Sequence, residues 1–394
     1  MRPISLIYVS LALAPLVAQP VLAAPVNAAG PTAQASTVAE DARLVAFLDR
    51  EFAAELTLRP ELATYLGLKV GADRWSDSTD AGRKKLLDTR RASVARMKAS
   101  FDRDRLSADG RLNYDIWADE LNDMELQEKF RLYRPPFYST LYSANTQLPD
   151  FLINAHEVND VPDMRAWIAR VRGLPAQLDL ALTQTQESAA AGIRVPKFQI
   201  ERIIKSSQTI VGGAPFGGEQ DSPLMADART KIAKIAAAGK LAPGEAERML
   251  KQASDAILAI QPAYQRTIAW AQSALPDAPE GKLGAVTLPG GAEWYTAALK
   301  LNTTLDLTAD EVHAIGLSEV ARIEGEQDAL ARQAGSADRE AFYAERARLF
   351  PAQPYTDALR ADYLARANAA IAHNRELLGA RAPGPLKLSV AQVN

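Results

Sequence analysis

The 394-residue sequence contains no cysteine. That excludes disulfides, thiolate metal sites, iron–sulfur clusters and a cysteine nucleophile. An exported chain of this composition must draw its stability from its core alone. Histidine is nearly as scarce: His156, His313 and His373 are the only three, and they lie far apart in sequence. Imidazole chemistry therefore has few carriers. Neither sign of charge dominates, since 45 Lys and Arg against 48 Asp and Glu leave a formal charge of −3. That balance is too mild to argue for nucleic acid or an anionic membrane surface.

What is present begins with an apolar stretch from Ile4 to Leu22 behind Arg2, closed by Val21-Leu22-Ala23. A positive start, an apolar run and a small-residue cleavage motif predict a secretory signal peptide over 1–23, cut after Ala23. Cutting one residue later would leave Pro25 at the new N-terminus. Pro15 and Pro20 interrupt the run and argue against a membrane span, and the lack of a following cysteine argues against a lipid anchor. The expected location is periplasmic or secreted, with no membrane association after cleavage. The full sequence is 47% hydrophobic and 24% charged, enough for a sizeable core in one large domain or two.

Residues 24–36, rich in Ala, Pro, Gly, Ser and Thr, read as a disordered leader. Thr37-Val38-Ala39-Glu40 has the form of a capping box, and Leu44, Leu48, Phe52 and Leu56 follow at i+4 spacing. Pro60 suits the start of a short second helix ending by Gly67. Residues 80–105 predict a long helix dense in Arg and Lys, read as a solvated face in preference to a binding surface. Ser107–Phe130 carries Trp117, Leu121 and Met124 on one side. Phe137–Val161, aromatic and poor in charge, reads as an ordered loop or cleft wall. Further helices are expected over 162–191, 196–211, 225–239 and 243–274, with a mobile Gly-rich loop at 212–223. After a Pro- and Gly-containing connection, helices are predicted at 292–301, 309–333, 338–349 and 355–379. Thr308-Ala309-Asp310-Glu311 forms a second capping box. The fold class is mostly α, with at most a minor β hairpin around Lys282–Leu288. The aromatic residues Trp117, Trp167, Trp270 and Trp294 are assigned to helix packing faces.

No catalytic constellation is complete. His156-Glu157 begins like the His-Glu-x-x-His of zinc peptidases, but the fifth position is Asp160 and Pro162 follows. A His156/Asp160 metal pair is chemically allowed; a hydrogen-bonded loop histidine is the better reading. His313, in the first turn after Thr308, reads as half exposed, and His373 as a helix-terminal residue that favours the dipole. Gly212–Gly218 resembles a phosphate loop only in composition, because it lacks Gly-Lys-Ser/Thr and Pro215 removes a donor.

Several stretches together resemble the bacterial family called domain of unknown function 885 (DUF885). They are Pro60–Leu68 followed by Asp73-Arg74-Trp75, then Gln147–His156, Ala191–Pro196 and Leu305–Ile323. The resemblance implies a multi-helix fold similar to zinc metallopeptidases, in exported proteins that are often lipoproteins and are read as hydrolases of peptide-like bonds. The family's metal motif, His-Glu-x-x-Pro-Gly-His-His, lies C-terminal to the Leu305–Ile323 region. No residue of this sequence matches it, so no catalytic, cofactor-binding or metal residue carries over. Zinc is expected only in a full-length relative. The resemblance covers the N-terminal two-thirds of the family pattern. The expected organisation is thus a truncated helical domain over 37–379, incomplete at the C-terminus, and a divergent or unfinished tail over 380–394. Such a domain leaves apolar faces uncovered and is expected to be marginally stable. The expected function is that of a peptidase-like zinc hydrolase lacking its metal motif, acting on a peptide-like small substrate. The alternative is a non-catalytic helical module that holds a ligand or partner, with no nucleic acid involved.

Overall fold

The computed structural model describes residues 31–281, 283–349 and 356–378. The expected signal peptide and the tail from 380 lie outside them. The chain divides into two compact units, one up to Asp306 and one from Leu307.

Four helices open the first unit: α1 (Pro31–Leu56), α2 (Pro60–Tyr65), α3 (Asp80–Ser100) and α4 (Ala108–Lys129). The apolar row of α1 faces a core as its spacing requires. Leu44 and Phe47 are buried with Val94, Met97, Phe101 and Trp117, and Leu48 and Phe52 pack at the edge. The start of α1 corrects the sequence reading. The helix runs from Pro31, straight through Thr37–Glu40 and through 31–36 of the expected disordered leader. Proline is at home in a first helical turn. The Glu40 carboxylate accepts from Arg43 Nε at 3.0 Å.

The basic residues of α3 are largely interhelical. Arg83 meets Glu128, Arg91 meets Glu125 and Arg96 meets Glu51. These exposed pairs contribute little each. Arg90 differs: it is buried, pairs with Glu55 and Glu120, and lies 3.7 Å above the Trp117 ring.

A larger core follows, built by α5 (Ala144–Asp150), a π-helical turn (Phe151–Ala155), α6 (Val161–Ala190), α7 (Lys197–Ile210), α8 (Pro223–Ala237), α9 (Glu245–Leu258) and α10 (Gln261–Ala274). Trp167, Leu174 and Leu178 of α6 are fully buried against Ile200, Ile235, Ile257 and Tyr264. The helix expected over 243–274 is two helices. Pro262, which has no amide hydrogen to give, opens the second. The 212–223 loop is not a free one either. Ala214 N–H donates to Gln220 O at 2.7 Å and Ser222 N–H to Ala214 O at 2.9 Å. Gly213, at φ +78°, makes the closure possible, since a Cβ there would stand 2.4 Å from Gln220 O. No hairpin forms around 283–288, where a single 3₁₀ turn (Ala285–Thr287) stands instead. Its Gly284 and Gly290 flanks offer no alternating apolar face to pair. α11 (Gly291–Thr303) then stacks Trp294 on Tyr133.

The second unit holds α12 (Ala309–Gln333), α13 (Arg339–Leu349) and α14 (Asp357–Leu378). The Thr308 capping box is present in full: Thr308 Oγ1 accepts from Glu311 N–H at 3.2 Å, and the Glu311 carboxylate accepts from Thr308 N–H at 2.7 Å. Arg339 bridges α13 to Glu324 on α12 at 2.8 Å. Among the described residues of this unit only Ala331 is a buried apolar side chain.

Candidate functional site

The chemistry-bearing side chains of the first unit meet at the π-helical turn. Pro149 lies inside α5, and the chain then widens so that His156 N–H donates back to Phe151 O at 3.0 Å. Single π turns are frequent at functional sites. The carbonyls at the end of such a turn need donors from elsewhere. Trp167 Nε1–H reaches Leu152 O at 3.1 Å, and the Lys231 ammonium donates to Leu152 O at 3.1 Å and Ile153 O at 3.0 Å. The third Lys231 donor goes to Asp227, 2.5 Å away. Burial pushes the Lys231 ammonium down and the Asp227 carboxyl up, while each partner's charge opposes that drift.

His156 follows the turn and is only 4% exposed. Its Nδ1 accepts from Arg170 at 3.0 Å, which fixes the ring as the neutral Nε2–H tautomer. Burial first, then the charges of Arg170 and Lys231, hold its pKa down to about 4.

Arg170 is wholly buried and spends all five guanidinium donors. Nε donates to Arg74 O, one terminal nitrogen to Thr64 Oγ1 and His156, and the other to Pro60 O and Gly71 O. Burial lowers its pKa to about 10, so it stays charged at neutral pH. Its own carbonyl accepts from Trp75 Nε1–H at 2.8 Å. Gly173, less than a turn further on, permits that approach: a Cβ there would lie 2.9 Å from the indole.

A cavity of about 230 Å³ opens beside the turn, lined by His156, Glu157, Asp227, Thr230, Lys231 and Lys234 among others. A larger, open groove of about 580 Å³ runs along α3 alone, past Lys84, Lys85 and Arg96.

His156 is thus the hydrogen-bonded histidine that the sequence suggested. Asp160 is not brought to it as a metal partner. The Asp160 side chain caps α6, accepting from Asp163 N–H at 2.9 Å, and faces Lys69. His313 and His373 stand exposed on α12 and α14. Among the described residues no group of three or more His, Asp or Glu is placed to hold a metal ion. Sequence reasoning missed Arg170, Lys231 and Asp227. Each sits inside an ordinary helical pattern, and nothing local distinguishes a buried charge from a surface one. The tryptophans behave as assigned: Trp117 and Trp167 are buried, Trp270 packs on Phe137, and Trp294 packs on Tyr133.

The family model described as "Bacterial protein of unknown function (DUF885)" matches residues 60–393. The match runs past Gly379, where the resemblance read from the sequence stops. A solved structure, "the putative lipoprotein from Colwellia psychrerythraea", is similar with a TM-score of 0.67 at 17% identity. The similarity covers 86% of this chain and 59% of that one, so the chain spans 59% of the length of that structure. At such identity the likeness bears on the helical fold alone. No curated protein sequence matches.

Proposed function

The chain belongs to the DUF885 family of bacterial proteins, and from that premise we propose that it works outside the cytoplasm as a helical lobe that holds the apolar face of a partner polypeptide, without catalysing hydrolysis by itself. One observation carries this reading. On α12, Ile315, Leu317, Val320, Ile323 and Leu330 are 42–62% exposed. Val320, Ile323 and Leu330 recur at helical spacing and share one side of the helix. A helix of a soluble domain ordinarily buries such a row, and an apolar surface left open marks an interaction site. Export is supported by the N-terminal 1–23 pattern. No helix among the described residues is long and apolar enough to cross a membrane.

The dye anilinonaphthalene sulfonate reports open apolar surface on the full chain. The natural sequence is expected to bind it under native conditions, and the double variant Val320→Asp/Ile323→Asp to lose most of that binding while keeping its helical circular dichroism. Equal binding by both proteins would remove the support for α12.

The competing reading, a zinc-dependent hydrolase of peptide-like bonds, is supported by the family resemblance. Zinc stoichiometry separates the two. One tight equivalent on the purified chain favours the hydrolase, and no bound zinc after dialysis against zinc favours the binding lobe.

A further inference from the structure

The junction around His156 has a property beyond holding the fold together. Its imidazole is a hydrogen-bond acceptor pressed against a cation that cannot move away. The Arg170 guanidinium is anchored by three backbone carbonyls and Thr64, and its remaining terminal N–H points at His156 Nδ1, 3.0 Å off. A second buried cation, Lys231, is pinned to the carbonyls of Leu152 and Ile153 in the turn that leads into His156. We propose that His156 is an acid-released latch: a proton taken from solvent at Nδ1 converts the acceptor into a donor facing another donor, and the segment 151–156 leaves its seat against α6 and α8 while the surrounding helices persist.

The groups around the ring decide the direction. From α6, Arg170 opposes the imidazolium, and Asp163 favours it through its backbone and its charge. Asp163 is already engaged, however: its carboxylate pairs with Lys69 at 2.6 Å and accepts from Asn159 N–H at 3.0 Å. Asp160, the α6 cap, also faces Lys69. From α8, Lys231 opposes the charge and its neighbour Asp227 is committed to it, while Lys234 donates to Asn159 Oδ1. Glu61 and Asp73 act on the Arg170 charge from the other side. Glu157, on the segment itself, lines the cavity. No carboxylate among these is hydrogen-bonded to the ring in the contacts above. A charged imidazole is therefore better accommodated in water than in place, and the adjoining cavity gives the segment somewhere to move.

Two tryptophans touch the segment and serve as reporters: Trp167 bonds to Leu152 O, and the Trp75 ring lies 5.3 Å from that of Phe151. The full chain is titrated from pH 7.5 to 3.5, following the three histidine Cε1–H resonances by NMR together with tryptophan emission and far-ultraviolet circular dichroism. His313→Asn and His373→Asn, at exposed positions, assign the resonances. The expected result is that His156 stays neutral until the pH approaches about 4. Its protonation should then coincide with a change in tryptophan emission at nearly unchanged helicity. In His156→Asn that emission step should vanish, because the amide Oδ1 stands where Nδ1 does, can accept from Arg170 and takes no proton. Protonation of His156 with unchanged emission would overturn the latch. So would collapse of helicity in the same step, or an identical emission step in His156→Asn. If that variant does not fold at neutral pH, the coincidence of the signals in the natural chain decides alone.

Discussion

At the scale of single residues, the motifs Pro60–Leu68, Asp73–Trp75 and Gln147–His156, which carry part of the family resemblance, meet at one side chain outside them. Pro60 O, Thr64 Oγ1, Arg74 O and His156 Nδ1 all receive donors from Arg170, and Trp75 donates to the Arg170 carbonyl. A buried guanidinium is tolerable because each of its donors meets an oxygen or nitrogen, with no carboxylate required. Removing it orphans several buried acceptors at once, and breaking such buried charge networks typically costs about 3–5 kcal/mol. Arg170→Met is accordingly expected to lower the unfolding free energy obtained from a urea titration by an amount in that range. Arg170→Lys should recover only a minor part, since an ammonium has three donors and no planar fork. A loss of unfolding free energy below about 1 kcal/mol, the net worth of one ordinary hydrogen bond, would show that the network is dispensable.

Secondary-structure elements were legible where the signal sits within a turn or two. α12 spans 309–333 as expected, because Thr308 and Glu311 cap each other's backbone amides and no tertiary contact is needed to say so. Thr308→Ala should cost about 1 kcal/mol of local stability, as lost N-caps usually do. Hydrogen exchange of the first α12 turn should speed up several-fold while that of α6 stays unchanged, and equal effects on both would refute a local role. Boundaries went astray where the local signal was ambiguous. The apolar pattern continues through Ile257 and Ile260, both fully buried, so the break between α9 and α10 is hidden in it. Thr37 and Glu40 have capping chemistry but lie in a helix already begun at Pro31. The π turn also leaves no trace in apolar spacing, because it depends on Lys231 and Trp167 arriving from elsewhere to satisfy its carbonyls.

For the whole molecule, the two units differ in what they bury. The first encloses two apolar clusters, whereas the second, among its described residues, buries one alanine. Segments with few buried apolar contacts open at low free energy. All five tryptophans, at 75, 117, 167, 270 and 294, belong to the first unit. On heating, the helical circular dichroism is therefore expected to fall in part before tryptophan emission changes, and limited proteolysis should cut within 307–378 first. Coincident transitions by both probes would show that the two units melt as one.

The sequence by itself determined the helical class, the position of most helices, the packing role of the tryptophans and the family. Each of these rests on residues within a few positions of one another, or on motifs in fixed order. Only the tertiary structure decided that Arg170, Lys231, Asp227 and His156 form one buried junction. Lys231 and Asp227 share α8, but Arg170 comes from α6 and His156 from the end of the π turn, with His156 meeting Arg170 across 14 residues and Lys231 meeting Leu152 across 79. Helical spacing records which side of its own helix a charge occupies. Whether water or another helix lies beyond that side is settled only when the chain packs.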